Sequence, residues 1–148
     1  MRRRPATVAD IFDGAKAREP LRRDGFEALT LCDLSTKARV KCKELSYGEQ
    51  RLLGVAVALA SQPRMLLLDE PASGLNQSDA QRLGRLLTDI TGEGIGVVLV
   101  EHNMRLVMNV SDRIVVLHHG EKIAEGTPSD VSRDQAVIDA YLGAEHAA

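Results

Sequence analysis

The chain has 148 residues, 44% of them hydrophobic and 27% charged, with a formal net charge of −2. That length suffices for one domain with a substantial core, and no apolar run approaches the ~20 residues of a membrane span. Aromatic residues make up only 3% and tryptophan is absent; without stacking platforms, no nucleic-acid partner is expected.

Charge is spread unevenly. Residues 1–51 carry 12 Lys and Arg against 8 Asp and Glu, whereas residues 52–148 carry 7 against 13. The basic start, Arg2, Arg3 and Arg4, is interleaved with acids further on and reads as a solvated helical face. No apolar segment follows it, so the pattern is not that of a signal peptide. Cys32 and Cys42 lack the C-x-x-C spacing of a zinc or redox site, and two reduced thiols of a cytosolic protein are expected.

Residues 1–44 show short apolar groups, Val8, Ile11 and Phe12, then Phe26, Leu29, Leu31 and Leu34. Their spacing of three and four predicts short helices. From Leu45 the pattern turns into alternating helix and strand. Ser46 and Glu49 fit a capping box, and the helix they start should run through Ser61 until Pro63 ends it. Residues 65–68, Met-Leu-Leu-Leu, read as a parallel strand buried on both faces. Ser78 is expected to begin the next helix, with Leu83, Leu86, Leu87 and Ile90 on one side and Gly92 and Gly94 closing it. Further strands are predicted at residues 95–100 and 113–117. Gly120 permits a tight turn into residues 122–125, and Thr127 and Pro128 open a terminal helical region. Strands alternating with helices imply right-handed β-α-β units, hence an α/β fold with a mostly parallel sheet flanked by helices.

Three motifs carry chemistry. Asp69 and Glu70 close the apolar strand at its carboxyl end, where open α/β sheets place ligands. Adjacent carboxylates on an extended segment point to opposite sides. This suggests Asp69 for Mg²⁺, which takes few carboxylates and keeps its waters, and Glu70 for an attacking water. Ser46, Gly48 and Gln50 stand at a helix start, where free amides attract phosphate. His102, after Glu101 at the end of the following strand, is positioned to meet Glu70. The loop Ser73, Gly74, Leu75 and Asn76 lies beside Glu70, where it could contact another subunit. His118 and His119 have no such context and read as surface or turn residues, without a third ligand for a metal. No G-x-x-x-x-G-K-[ST] loop occurs in these residues, so a phosphate cradle of that kind is missing from them.

Together these residues resemble the C-terminal portion of an ABC transporter ATP-binding subunit, a cassette of the P-loop NTPase type. Residues 45–50, Leu-Ser-Tyr-Gly-Glu-Gln, look like the signature, residues 65–70 like the Walker B strand, residues 73–76 like the D-loop, and His102 like the switch histidine. Glu101, His102, Asn103 and Met104, then Ser111, Asp112 and Arg113, are similar to branched-chain amino acid importer cassettes. So are residues 123–128, Ile-Ala-Glu-Gly-Thr-Pro, and 140–143, Ala-Tyr-Leu-Gly; urea and amide importers share much of this. The resemblance implies ATP and Mg²⁺ as cofactors, a second cassette and membrane permease subunits as partners, and a peripheral place on the cytoplasmic face of the inner membrane. It implies catalytic roles for Glu70 and His102, a metal role for Asp69, and contact of Ser46, Gly48 and Gln50 with ATP held by the other cassette. Residues 73–76 would lie at the interface.

On the same resemblance, residues 1–44 belong to the helical subdomain, 45–126 to the ATPase core, and 127–148 to a C-terminal tail. The P-loop strand, the adenine-stacking aromatic and the Q-loop glutamine of the family pattern are not found here. Asn76 stands where aspartate is commoner. The chain alone is therefore expected to be inactive. Alternatives are a non-hydrolytic partner supplying the signature in trans, a truncated ABC gene product, or half of a DNA-repair ABC ATPase. Residues 1–44 lack the sustained heptads that the last requires.

Overall fold

A computed structural model describes residues 18–142 of the chain; the group around Val8, Ile11 and Phe12 lies outside them. The first element, α1 (Arg18–Leu31), is a single helix of 14 residues rather than several short ones. Ala28, Cys32 and Leu34 are buried, Leu29 and Leu31 pack partly against the core, and Phe26 stays exposed. Packing against the next helix, not the apolar spacing by itself, selects the inner side of α1.

Two 3₁₀ turns, Ser35–Lys37 and Cys42–Glu44, lead into α2 (Tyr47–Leu59). Both halves of the predicted capping box are present: Ser46 Oγ accepts from Glu49 N–H at 3.2 Å, and Glu49 Oε2 accepts from Ser46 N–H at 2.9 Å. Leu52, Val55, Ala56 and Leu59 form the buried stripe, at the spacing of one helical face. The helix ends at Leu59, with Ala60 as its C-cap, slightly short of Ser61.

Strand β1 (Met65–Asp69) pairs in parallel with β2 (Gly96–Val100), and α3 (Gln77–Gly92) connects them. This is the expected β-α-β unit. The start of α3 differs from expectation. Asn76, not Ser78, is the N-cap; its Oδ1 accepts from Asp79 N–H at 2.9 Å and from the Ser78 hydroxyl at 2.7 Å. Asparagine is as good an N-cap as serine, and here it stands two residues earlier.

Burial of β1 also corrects the sequence reading. Leu66 is buried at 4% exposure, but Met65 is 55% exposed and Leu67 74%. Across the ladder Leu67 lies opposite Val98 and Asp69 opposite Val100, and Val98 and Val100 are exposed as well. Leu66, Leu68, Val97 and Leu99 face the helices and join the main core. Period-2 alternation thus splits the ladder into a covered and a bare face. Among the described residues, helices cover only one of them.

After β2, the short helix α4 (Met104–Val110) leads to a hairpin of β3 (Ile114–His118) and β4 (Glu121–Gly126), paired antiparallel. His119 and Gly120, with φ of 49° and 83°, form its two-residue turn, the left-handed pair that hairpins favour. Pro128–Val131 forms a helical turn capped by Thr127, and Gln135–Val137 runs into a π turn at Ile138–Leu142. A second core gathers Ile114, Val116, Val131 and Val137. No ladder joins the two strand pairs among the described residues. Helix α4 bridges the two cores: Leu106 and Val110 belong with the first, Val107 and Met108 with the second.

Candidate functional site

The chemistry-bearing residues collect at the carboxyl end of β1 and β2 and at the start of α2. Strand β1 ends at Asp69, and Glu70 takes a left-handed conformation with φ of 44°. A non-glycine residue there costs ~1–3 kcal/mol and persists only where surrounding contacts impose it. Two do so: Glu70 N–H donates to Val100 O at 2.8 Å, and Glu70 O accepts from Ser73 N–H at 3.1 Å. Because the chain leaves extended geometry at Glu70, strand alternation no longer fixes the relative directions of the two carboxylates. Glu70 Oε1 comes to 3.5 Å from His102 Nδ1, so parallel pairing does deliver these two side chains to one place. Both are well exposed.

Glu101, quoted in the sequence only as the neighbour of His102, ties the two strand ends together. Its Oε1 accepts from Ala72 N–H at 2.6 Å, and its Oε2 accepts from His102 N–H at 3.2 Å and Asn103 N–H at 3.4 Å. A carboxylate at a strand end beside a histidine was the available signal. Asp69 is exposed at the last position of β1. Among the described residues no three His, Cys, Asp or Glu side chains gather to hold a metal. Magnesium ordinarily takes one or two carboxylates together with phosphate oxygens and water, so Asp69 fits one protein ligand of a metal–nucleotide complex rather than a stand-alone metal site.

At the start of α2, Ser46 Oγ is used as an acceptor by the cap, which leaves its own proton free to donate to an anionic oxygen. Glu49 is satisfied by the cap and by Lys37, 3.3 Å away. Its hydrogen bond from Ser46 N–H, then Lys37, hold its pKa below the usual glutamate range. Gln50 turns back, its Nε2 donating to Leu45 O at 3.0 Å. Gly48 is buried, and the group that closes on it is the Asp79 carboxylate. The close approach of Asp79 requires glycine at position 48.

Residues 73–76 are brought against this helix start. Tyr47 Oη donates to Ser73 O at 3.1 Å, Gly74 has φ of 74°, Leu75 N–H donates to Ala72 O at 3.1 Å, and Asn76 caps α3. Tyr47 and Asp79 are contacts that the motif pattern did not single out. His118 and His119 lie at the hairpin tip, ring centroids 4.1 Å apart, away from these groups. A groove of about 620 Å³ between α3 and α4 is lined by Asn76 and Asn103 but by neither Glu70 nor His102.

Both the sequence and the fold are similar to those of known proteins. Residues 10–73 match the family model described as ABC transporter, and residues 121–147 match that of the branched-chain amino acid ATP-binding cassette transporter. In the crystal structure of the ADP conformation of an ATP-binding cassette of an ABC transporter, the similarity has a TM-score of 0.78 at 29% identity. It covers 84% of this chain and 51% of that one. A dimeric cassette in a post-hydrolysis state, bound to ADP and Pi, gives a TM-score of 0.62 at 29% identity, over 72% and 47%. The fold is therefore that of ABC cassettes, within the P-loop NTPase class.

The chain is similar to the ATP-binding subunits of ABC transporters, among them the cassettes of branched-chain amino acid transport. It is 37% identical over 141 residues to the high-affinity branched-chain amino acid transport ATP-binding protein LivG of Salmonella typhimurium, covering 90% of this chain and 55% of that protein. Against BraF of Pseudomonas aeruginosa, described in the same words, identity is 45% over 100 residues, 67% of this chain and 39% of the relative. The lipopolysaccharide export system ATP-binding protein LptB of Haemophilus influenzae is 38% identical over 99 residues, 67% of this chain and 41% of the relative. The chain thus spans about half the length of the curated relatives it matches. No helix among the described residues is long and apolar enough to cross a membrane.

Proposed function

We propose that this chain provides the signature and water-activating side of an ABC ATPase that energises import of branched-chain amino acids or similar solutes, in a pair of cassettes attached to membrane permease subunits. The observation that carries this reading is the meeting of Glu70 and His102 at 3.5 Å. Glu70 orients and deprotonates the attacking water, a role worth ~10²–10⁴-fold, and His102 holds the transferring phosphate and the water in line. Asp69 contributes a ligand to Mg²⁺ on the nucleotide. Magnesium, when bound, neutralises charge that develops on the phosphate oxygens. Ser46 and Gly48 present a hydroxyl and helix-start amides to ATP held by the other cassette. Gln50 supports that turn, and residues 73–76 form the contact between cassettes. Residues 1–44 would belong to the helical subdomain that meets the permease, and 127–148 to a C-terminal tail.

By itself the chain does not turn over ATP at a family-like rate, because nothing in its 148 residues takes the place of the P-loop amides and lysine, and phosphoryl transfer depends on that positioning. That same absence, beside an intact capped signature turn, favours a second reading in which the chain serves only as signature donor in trans.

A mixing experiment tests both. The chain is combined with a P-loop-bearing cassette whose own signature serine is replaced by arginine, and ATP turnover is measured. Turnover that appears on mixing, and is lost when this chain carries Ser46→Arg, supports signature donation. No gain on mixing counts against both readings. The hydrolytic role is tested in one continuous chain that carries a P-loop segment ahead of these residues: loss of turnover in Glu70→Gln with ATP binding kept supports it, whereas indifference to Glu70→Gln leaves the chain as signature donor only. Robust turnover by the chain alone, well above a Glu70→Gln control, contradicts the need for a separate phosphate cradle.

A further inference from the structure

We propose that Tyr47 and Asp79 lock the signature turn to the loop of Ser73, Gly74 and Leu75, so that the two segments move as one body, with Tyr47 as the positioning residue. The interlock is reciprocal, and each half needs a glycine. An added Cβ on Gly74 would lie 3.1 Å from Tyr47 Cε1 and 3.2 Å from its Oη. An added Cβ on Gly48 would lie 2.5 Å from Asp79 Cγ. The signature's tyrosine therefore seats on the loop's glycine, while the carboxylate at the start of α3 seats on the signature's glycine.

Tyr47 is half exposed, so burial alone does not account for its orientation. Its hydroxyl does: it accepts from Arg51 Nε at 3.0 Å and from Arg51 Nη2, and donates to Ser73 O at 3.1 Å. The Arg51 guanidinium also stacks over the ring, 5.1 Å from its centroid, which adds a cation–π attraction. One turn of α2 thus holds the tyrosine, and the tyrosine holds the loop.

The lock reaches further. Ser73 accepts from Tyr47 through its carbonyl and donates through its N–H to Glu70 O. Two hydrogen bonds therefore separate the signature tyrosine from the backbone of the residue facing His102. The position of the Ser46 hydroxyl and that of the Glu70 carboxylate are set together rather than independently. This consequence for turnover rests on the proposed function; the lock itself is a property of the chain alone.

The test has two arms in the 148-residue chain and one in the mixture. Tyr47→Phe keeps the ring and removes the hydroxyl. Amide hydrogen exchange at Ser73 and Leu75 should then accelerate by about fivefold or more, the size of one lost hydrogen bond, with the amides of the β3–β4 hairpin unchanged. Gly74→Ala should shift the amide resonances of Gly48 and Glu49, and the shift should shrink in a Tyr47→Ala background. Unchanged exchange in Tyr47→Phe, or a Gly74→Ala effect confined to the loop, overturns the lock. In the mixture, Tyr47→Phe should lower kcat several-fold at unchanged KM for Mg-ATP, since its hydroxyl is engaged by Ser73 and Arg51 and acts by positioning the signature turn. A loosened loop with unaltered kcat overturns the coupling to turnover. A mixture in which the unsubstituted chain restores nothing defeats the proposed function instead, and the two exchange and resonance arms still decide the lock.

Discussion

Gly48→Ala offers a test in which packing and helix propensity predict opposite signs. Gly48 is the second residue of α2, and alanine in place of glycine in a helix gains ~1 kcal/mol from backbone entropy alone. The structure opposes that gain. The new methyl would stand 2.5 Å from both Asp79 Cγ and Oδ2, and 2.9 Å from Oδ1. Comfortable heavy-atom contact needs ~3.5–4.0 Å, so about an ångström is missing. Relief requires Asp79 to swing away and give up its 2.9 Å contact with Asn76 Nδ2, or α2 and the start of α3 to separate. Overpacking of this kind costs ~1–3 kcal/mol, which cancels the propensity gain or leaves a net loss of up to about 2 kcal/mol. Gly54, in the same helix, has nothing within 4 Å of its added Cβ, and Gly54→Ala should show the propensity gain undiminished. Urea unfolding of the chain and both variants measures the difference. A double-mutant cycle with Asp79→Ala should return Gly48→Ala to neutral or better, with a coupling of ~1 kcal/mol or more. If Gly48→Ala stabilises as much as Gly54→Ala, the contact with Asp79 is not present in solution.

Leu67→Ser should change unfolding free energy by no more than ~0.5 kcal/mol, the usual surface range, because Leu67 is 74% exposed; a loss of several kcal/mol would mean the strand is covered on both faces in solution. Glu70→Gln, tested in one continuous chain that carries a P-loop segment ahead of these residues, should lower turnover ~10²–10⁴-fold with nucleotide affinity kept. Retention of most turnover would reduce Glu70 to a polar strand end. Glu49, Glu125 and Asp130 all have folded pKa values lowered by hydrogen bonds or ion pairs, so their contributions are present above the unfolded values of ~4 and are lost as pH falls through the lower folded ones. Thermal melts from neutral to acid pH should therefore show stability falling below about pH 4, and Glu49→Gln should flatten that fall while lowering stability at neutral pH. Of the two thiols, Cys42 is exposed and Cys32 buried with its pKa pushed up to about 11 by burial. Thiol-reagent kinetics on the native chain should give one fast and one protected cysteine; two equally fast ones would contradict the packing of α1.

Local chemistry was legible from the sequence wherever a few neighbouring residues decide the outcome. Ser46 and Glu49 form their capping box because both partners lie within one turn, so no distant contact is needed. Gly120 supplies the hairpin turn, Thr127 and Pro128 start a helical turn, and parallel pairing of the residue 65–69 and 96–100 strands follows from the helix between them. The meeting of Glu70 and His102 was foreseeable on the same grounds, since both end neighbouring parallel strands. Motif order also carried the family. What the tertiary structure alone decided depends on partners distant in sequence. An apolar run such as Met65 to Leu68 has no polar residues to reveal an open face; only the placement of helices shows that Leu66 is covered and Leu67 bare. Phe26 has the spacing of a core residue and yet faces outward, because α2 packs against Ala28 and its neighbours instead. Gly48 carries no mark in the sequence of which side chain packs against it, and that side chain belongs to a residue 31 positions further along the chain, Asp79.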